Sequence, residues 1–460
     1  MKKKLRSCKH GYISGTKHLA IILCLTACIC LSLVSTGLAS SYNSTEQTTL
    51  NLPEAINIAL KQNPLMKAAG AEINATIQAQ QTAWAERWAK ISAGYSYTRL
   101  KDAPYVAFTL FPGINKFPTG KDRSISWDIT ITQPLFTGFA LSTKQELASL
   151  GIDIARVQKQ ETRLSIIEQV RLCYYDILFN KSALDIANET LKQLSAHLAD
   201  AQHFFKQGLI AKNDLLKSEV AVAAARQNVV RAESRLEQSR ARLNILLNQD
   251  IEYPIRIKNI PTHTKTRPVL SGLLDKAIQI RPILKAMRLR LKQAGLGIKL
   301  AKSGFWPQIV LLARYEQQGD NIIASHNEFS NTCNSMIMLK ANWNIFEWGK
   351  TYHQVGQAED KVIILKQNIL NIANNVRLQV KSAWLAVGVA LKNISTAQTA
   401  LKQAKENFRI TTLQYKHQIA SSTDVIDAQK FLTEAEMNYQ QAIYGYDMAI
   451  ARLKRAVGEE

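Results

Sequence analysis

Proline and cysteine are both scarce in this chain, and their positions limit the structures that it can form. All eleven prolines lie outside two windows, 135–253 and 308–460. Because proline is excluded from helix interiors and from central strands, both windows can hold uninterrupted elements. Four of the six cysteines lie near the amino terminus, which leaves Cys173 and Cys333 in the rest of the chain. Two cysteines so far apart do not form a disulfide framework.

Motifs for catalysis and for cofactor binding are also missing. The sequence has no Gly-x-Ser-x-Gly segment and no phosphate-loop lysine, and Gly295-Leu296-Gly297 falls short of a dinucleotide fingerprint. The histidines are scattered, and His197 and His203 have a spacing that is poor for sharing a metal on one helix. We therefore expect no enzyme activity, no cofactor and no metal site. Cys173 is expected to be a small core hydrophobe.

The amino terminus lacks acidic residues as far as Glu46. Six cations precede the apolar run Leu19–Val34, and a small-residue exit follows at Gly37-Leu38-Ala39. This order predicts a secretory signal peptide over residues 1–39, because the run is short for a transmembrane helix. Removing these six cations lowers the formal net charge from +22 to +16. A basic chain suits an anionic surface or nucleic acid, but export argues against nucleic acid.

A second reading of the leader is open. Leu25-Thr26-Ala27-Cys28 resembles a bacterial lipobox, and its use would make Cys28 a lipidated first residue. The apolar run continues past Cys28, which favours ordinary cleavage near Ala39.

One short segment occurs twice, at 205–215 and at 415–425, and we call these the first tip and the second tip. Each has an aromatic residue, a polar turn and then an aspartate, Asp214 or Asp424. Aspartate is favoured at helix starts, where its carboxylate caps free N–H groups. Each tip is therefore predicted to join two antiparallel helices.

Heptad repeats flank both tips. After the first tip the series is Leu215, Val222, Val229, Leu236 and Leu243, and after the second it is Val425, Leu432, Tyr439, Tyr446 and Leu453. A seven-residue apolar repeat indicates coiled-coil packing. We therefore predict two long coiled-coil hairpins.

Four segments alternate apolar and polar residues with the period of a strand, at 91–98, 125–132, 309–316 and 336–345. Aromatic residues cluster at their ends, namely Trp88, Phe136, Phe139, Trp306, Phe346 and Trp348. Alternation with aromatic girdles is typical of membrane barrel strands, although alternation alone also fits a soluble sandwich. Residues 101–123 and 318–335 are rich in turn-forming residues and are predicted to be loops.

The halves repeat the order helix, strand, loop, strand, long helix, tip and return helix. We predict a first structural repeat over 40–262 and a second over 263–460, each beginning with a helix that contains an X-Pro pair. Four membrane strands cannot close a barrel, and an open sheet edge is not tolerated in lipid. Three chains in a ring would give a twelve-stranded β-barrel above a tube of helices.

These features resemble the TolC-like outer membrane efflux proteins across essentially the whole chain after the leader. The most specific pieces are Gly208–Asp214 and Thr423–Asp427. The resemblance implies a homotrimer in the bacterial outer membrane, with a 12-stranded β-barrel in lipid and a long α-helical barrel in the periplasm. It further implies export of small molecules or proteins, with a periplasmic membrane-fusion adaptor and an inner-membrane pump as partners, in multidrug efflux or type I secretion.

The resemblance also implies site residues. The periplasmic gate would comprise Asp214, Tyr415, Asp424 and Asp427. The adaptor-docking tip would comprise Gln207, Gly208, Leu209, Gln418 and Ile419. Some relatives have an arginine of the closing network where this chain has Ala420.

Simpler structural explanations also fit these residues. Asp424 is also readable as a helix cap, and Asp427 as a surface acid. An exported periplasmic coiled-coil structural or adaptor protein is the alternative function, and it explains the heptads but not the four barrel-type strands.

Overall fold

The computed structural model describes residues 49–108, 115–259 and 266–460. The predicted signal peptide, the candidate lipidation site Cys28 and the boundary between the two predicted repeats lie outside these residues. The repeat boundaries therefore stay a prediction.

The two halves have helices of matching length. Two helices have 67 residues and two have 36 residues, and within each pair the starts are 210 positions apart. The helices are α1 Leu52–Gln62, α2 Pro64–Ala85, α3 Ala140–Lys206, α4 Lys212–Leu247, α5 Leu270–Ile280, α6 Pro282–Lys302, α7 Lys350–Lys416 and α8 Ser422–Val457. At a rise of about 1.5 Å per residue, α3 and α7 each span about 100 Å. The internal duplication is confirmed. No helix of the described ranges is long and apolar enough to cross a bilayer.

The prediction that each repeat begins with one helix containing an X-Pro pair is wrong, because the pair separates two helices. The structure has two helices that break at Asn63, where φ is −57° and ψ is 130°. Proline disfavours helical geometry in the residue before it, and here the Asn63 side chain accepts the Leu65 N–H to cap the next helix. Arg281 before Pro282 produces the same break in the second half.

The four predicted strands form one antiparallel sheet, in the order β1-β4-β5-β6. The strands are β1 Lys90–Arg99, β2 Tyr105–Phe108, β3 Asn115–Pro118, β4 Arg123–Thr137, β5 Gln308–Gly319 and β6 Cys333–Asn342. The interpretation of 101–123 entirely as a loop is wrong, because β2 and β3 pair within it. The many Pro, Gly and Asn residues of this region predicted a loop, although it also contains short runs of strand-forming residues such as Tyr105, Val106 and Phe117.

The two faces of the four-stranded sheet differ in polarity. One face, here called the apolar face, has residues in register across the strands, among them Ile91, Ala93, Tyr95, Trp127, Ile129, Ile131, Leu311, Ala313, Ile337 and Leu339. On the other face, Asp128 is directly opposite Glu316, and Arg314 lies 3.5 Å from the former and 3.6 Å from the latter. Arg314 offsets the repulsion expected of like charges placed opposite each other. A Cβ at position 94 would lie 2.7 Å from an Asp128 carboxylate oxygen, so a larger residue than Gly94 would displace this carboxylate.

Each half has its own core where the first helix packs on the coiled coil. In the first half, Tyr174 is fully buried among Ala55, Ala59 and Val170. Its hydroxyl lies 2.6 Å from the Lys258 carbonyl, and burial raises the pKa of Tyr174 to about 12. In the second half, the equivalent position holds Trp384, whose indole N–H donates to the Pro268 carbonyl at 2.8 Å. In both halves an aromatic side chain thus anchors the segment between α4 and α5.

Candidate functional site at the helix tips

The two tips have the same backbone geometry in spite of different residues. In the first tip, Gly208 has φ +73° and its N–H donates to the Phe205 carbonyl at 2.9 Å. In the second, Gln418 has φ +60° and donates to Tyr415 at 3.0 Å. A left-handed residue just after a helix is the usual way to end it, and glycine adopts it without strain. Both residues have the left-handed conformation, but it is strained only at Gln418, because glutamine has a Cβ and glycine does not.

The start of α8 has a complete capping box. Ser421 donates its N–H and its hydroxyl to Asp424 Oδ2 at 2.8 Å and 2.7 Å, and Asp424 N–H donates back to the serine at 3.2 Å. These bonds to the Ser421 hydroxyl and backbone hold the pKa of Asp424 below its ordinary value. Asp424 is therefore a helix cap and an exposed carboxylate together. The start of α4 has no side-chain cap, so the prediction that Asp214 caps this helix is wrong. The N-cap position is held by Ala211, which has no side-chain oxygen to exchange bonds with the aspartate.

The other predicted gate residues lie close by with different partners. Asp427 is exposed one turn along α8 from Asp424, so the two carboxylates share one side of the helix. Asp214 lies 3.5 Å from Lys217, which donates to the Thr423 hydroxyl at 3.1 Å and so joins the two tips. Tyr415 is buried and makes no well-formed hydrogen bond, although its hydroxyl interacts weakly with Ser422.

One polar cluster was missed by the sequence reasoning. It takes one residue from each of the four long helices, namely His197, Ser218, Tyr415 and Ser422, and all four are buried. His197 Nε2 lies 2.8 Å from the Ser422 hydroxyl, which lies 2.8 Å from the Ser218 hydroxyl. The Tyr415 ring packs on the imidazole with 4.6 Å between centroids. We call this the tip cluster.

Its hydrogen bonds have one consistent direction. Ser218 donates its hydroxyl proton to the Asp214 carbonyl at 3.1 Å, so it accepts from Ser422. Ser422 in turn accepts from His197, which assigns a proton to Nε2. Burial lowers the pKa of His197, although Asp200 acts in the opposite direction. The sequence signal for this cluster is Ser218, a polar residue three positions after Leu215, where a coiled-coil repeat has its second apolar position.

The predicted docking residues are all exposed at the turns. Leu209 has 48% of its surface exposed and Ile419 has 76%. Gln207, Gly208 and Gln418 surround them and are exposed as well. Apolar side chains on a polar turn suit contact with another protein.

Comparison with known families gives this geometry a context. The family model described as outer membrane efflux protein matches residues 55–249 and 273–459, which is most of the chain. The chain belongs to the outer membrane efflux protein family. TolC of Vibrio cholerae is 23% identical over 415 residues, which cover 89% of this chain and 90% of the relative. TolC of Escherichia coli K12 is 23% identical over 92% of this chain and 85% of the relative.

Solved structures of efflux proteins share the fold. The structure of CusC superposes with a TM-score of 0.73 at 17% identity, covering 92% of this chain and 96% of the other. The Campylobacter jejuni CmeC outer membrane channel superposes with a TM-score of 0.74 at 16% identity, covering 92% and 90%. This chain therefore has the mixed α and β architecture of the outer membrane efflux channels.

Proposed function

We propose that three copies of this chain form an outer-membrane channel that exports molecules as the outer component of a tripartite pump. The observation that carries the proposal is the four-stranded sheet, which has one apolar face and end strands, β1 and β6, with no second neighbour among the described residues. An open edge is not tolerated in lipid, so β6 of one copy must pair with β1 of the next. Three copies give twelve strands and a closed barrel.

The sheet's polarity sets which face meets lipid. The apolar face has exposed Ile91, Ile337 and Leu339, which suit hydrocarbon. The opposite face, with Asp128, Arg314 and Glu316, suits a water-filled lumen. A periplasmic coiled-coil structural or adaptor protein would expose the apolar face to water, which makes that alternative less favourable.

The helices continue from the barrel into the periplasm and place the tips at the far end. α3 begins shortly after β4 and α7 begins shortly after β6, and each is about 100 Å long. The exposed Leu209 and Ile419 then face away from the membrane, where a periplasmic membrane-fusion adaptor with its inner-membrane pump would dock.

The gate lies beside the docking surface in this proposal. Three copies of Asp424 and Asp427 would place six carboxylates around one axis at the periplasmic entrance. Like charges so close titrate as a coupled set and attract cations. The tip cluster and the Lys217–Thr423 contact would keep the two hairpins of one copy together when the entrance is closed.

Two experiments test the proposal. After a high-salt wash, the protein should remain in the outer-membrane pellet, and release into the wash would count against a barrel in lipid. A photo-crosslinker at Leu209 should then capture a periplasmic adaptor, whereas the same probe at Ile245, exposed at the opposite end of α4, should not. Equal capture at both positions would refute docking at the tips.

A further inference from the structure

The first part of the segment between β5 and β6, which comprises residues 320–332, folds back against the apolar face of the sheet. Two side chains of this face donate to its backbone: the Tyr95 hydroxyl to the Ile322 carbonyl at 3.3 Å, and the Gln317 amide to the Ile323 carbonyl at 3.5 Å. Tyr95 and Gln317 are both in register with Trp127, so they lie on the same side of the sheet. The backbone at Ile322 and Ile323 therefore lies against the apolar face near the end of β5.

The packing of this segment onto β5 is direct. A Cβ at Gly319 would lie 2.6 Å from both Ala324 and His326 backbone atoms, so glycine is needed for the chain to turn back so closely. Ile125 is opposite Gly319 and is only 4% exposed, whereas Ile129 of the same face is 43% exposed. The segment thus shields the end of the apolar face.

The turn that carries Ile322 and Ile323 is held in place at both ends. Asn321 accepts the Ser325 N–H at 2.7 Å and donates to the Ser325 hydroxyl at 2.8 Å. Asp320 pairs with Lys121 ahead of β4 and with His326 at 3.1 Å. These bonds fix the turn against the sheet, so the exposure of its side chains is a feature of an ordered structure.

Ile322 and Ile323 themselves project away from the protein. They are 79% and 71% exposed, while their carbonyl groups are turned to the sheet. Two adjacent β-branched apolar residues on an ordered turn bury little in a single chain. Burying these side chains in an apolar environment would be favourable.

We propose that Ile322 and Ile323 insert into the acyl chains of the outer leaflet and anchor this segment to the membrane. The inference rests on the proposed barrel, and the occupant follows from continuity, since the segment lies on the face that meets lipid. It also lies at the end of β5 remote from the helices, hence on the extracellular side. Tyr95, Trp127 and Tyr315 surround this level of the face, as aromatic residues do at a membrane interface.

The test places an environment-sensitive fluorophore on single cysteines. In a Cys173→Ala, Cys333→Ser background, Ile322→Cys and Ile323→Cys are compared with Ser330→Cys, an exposed polar position of the same segment. The labelled protein is reconstituted into phosphatidylcholine vesicles with and without a doxyl-labelled lipid. We expect strong quenching at 322 and 323, several-fold greater than at 330.

Ile129→Cys separates the anchor from the barrel, because Ile129 lies on a strand of the same apolar face. If position 129 is quenched and positions 322 and 323 resemble 330, the anchor is refuted and the barrel stands. If 129 is not quenched either, the proposed barrel fails. Protection of 322 from aqueous iodide without lipid quenching would identify a second copy as the cover and would overturn the lipid anchor.

Discussion

Acidification should loosen the packing between the two hairpins through His197. The imidazole is 6% exposed, and burial holds its pKa below the ordinary value of 6.5. A group with a lowered pKa in the folded state stays neutral there at pH 7, whereas the unfolded chain gains the proton first as pH falls. The stability that His197 contributes is therefore fully present above 6.5 and is lost below it.

The size of the effect follows from this linkage. Between the ordinary pKa and the lowered one, each pH unit costs up to about 1.4 kcal/mol per chain. Asp200 on α3 acts directly on His197, and Asp200 together with Asp214 on α4 raises the pKa of Tyr415, whose ring packs on the imidazole. Lys217 on α4 and Asp424 on α8 follow as sequence neighbours of Ser218 and Ser422. Asp200 opposes the effect of burial, but burial is the larger influence.

The assay is amide hydrogen exchange of the tips between pH 8 and pH 5.5, corrected for intrinsic exchange. The control is His197→Gln, which keeps a donor for Ser422, cannot titrate and retains every neighbouring carboxylate. We expect the native tips to lose protection below pH 6.5 and the glutamine variant to change much less. The same pH profile for both proteins would refute the role of His197.

Other changes test separate parts of the site. Asp424→Ala with Asp427→Ala should reduce cation preference and weaken block by a trivalent cation in planar-bilayer recordings, and unchanged block would place the gate elsewhere. Gln418→Gly should stabilise the second tip by about 0.5–1 kcal/mol and Gly208→Gln should destabilise the first by about 1–2 kcal/mol, measured by thermal unfolding. A change of the same sign at both positions would contradict the strain argument. Arg455→Met should cost about 1–3 kcal/mol in the same assay, because it removes the arginine that pairs with both Glu161 and Glu168 while Arg281 still attracts these carboxylates, and an unchanged midpoint would oppose this.

Much of the fold was predictable because its signals are local. The period of two at 91–98 and 125–132 identified β1 and β4, and heptads identified the coiled-coil hairpins. The same 210-position offset that relates the tips also relates the helix starts. These patterns depend on residues within a few turns of one another.

The missed features depend on distant residues or on short segments. His197 meets Ser422 across 225 positions, and no periodicity marks such a pair. β2 and β3 have four residues each, too few for alternation to stand out. Asp424 shows a different limit, because its spacing fits a cap and a gate equally, and the capping box in the structure leaves its exposed carboxylate available for both.

The central claim is a closed barrel shared among copies of the chain. Its most direct test is the mass of the protein component in mild detergent, measured by light scattering coupled to size exclusion. The account predicts three chains per particle, since three sheets of four strands close the barrel without a free edge. A monodisperse particle containing one chain would contradict it.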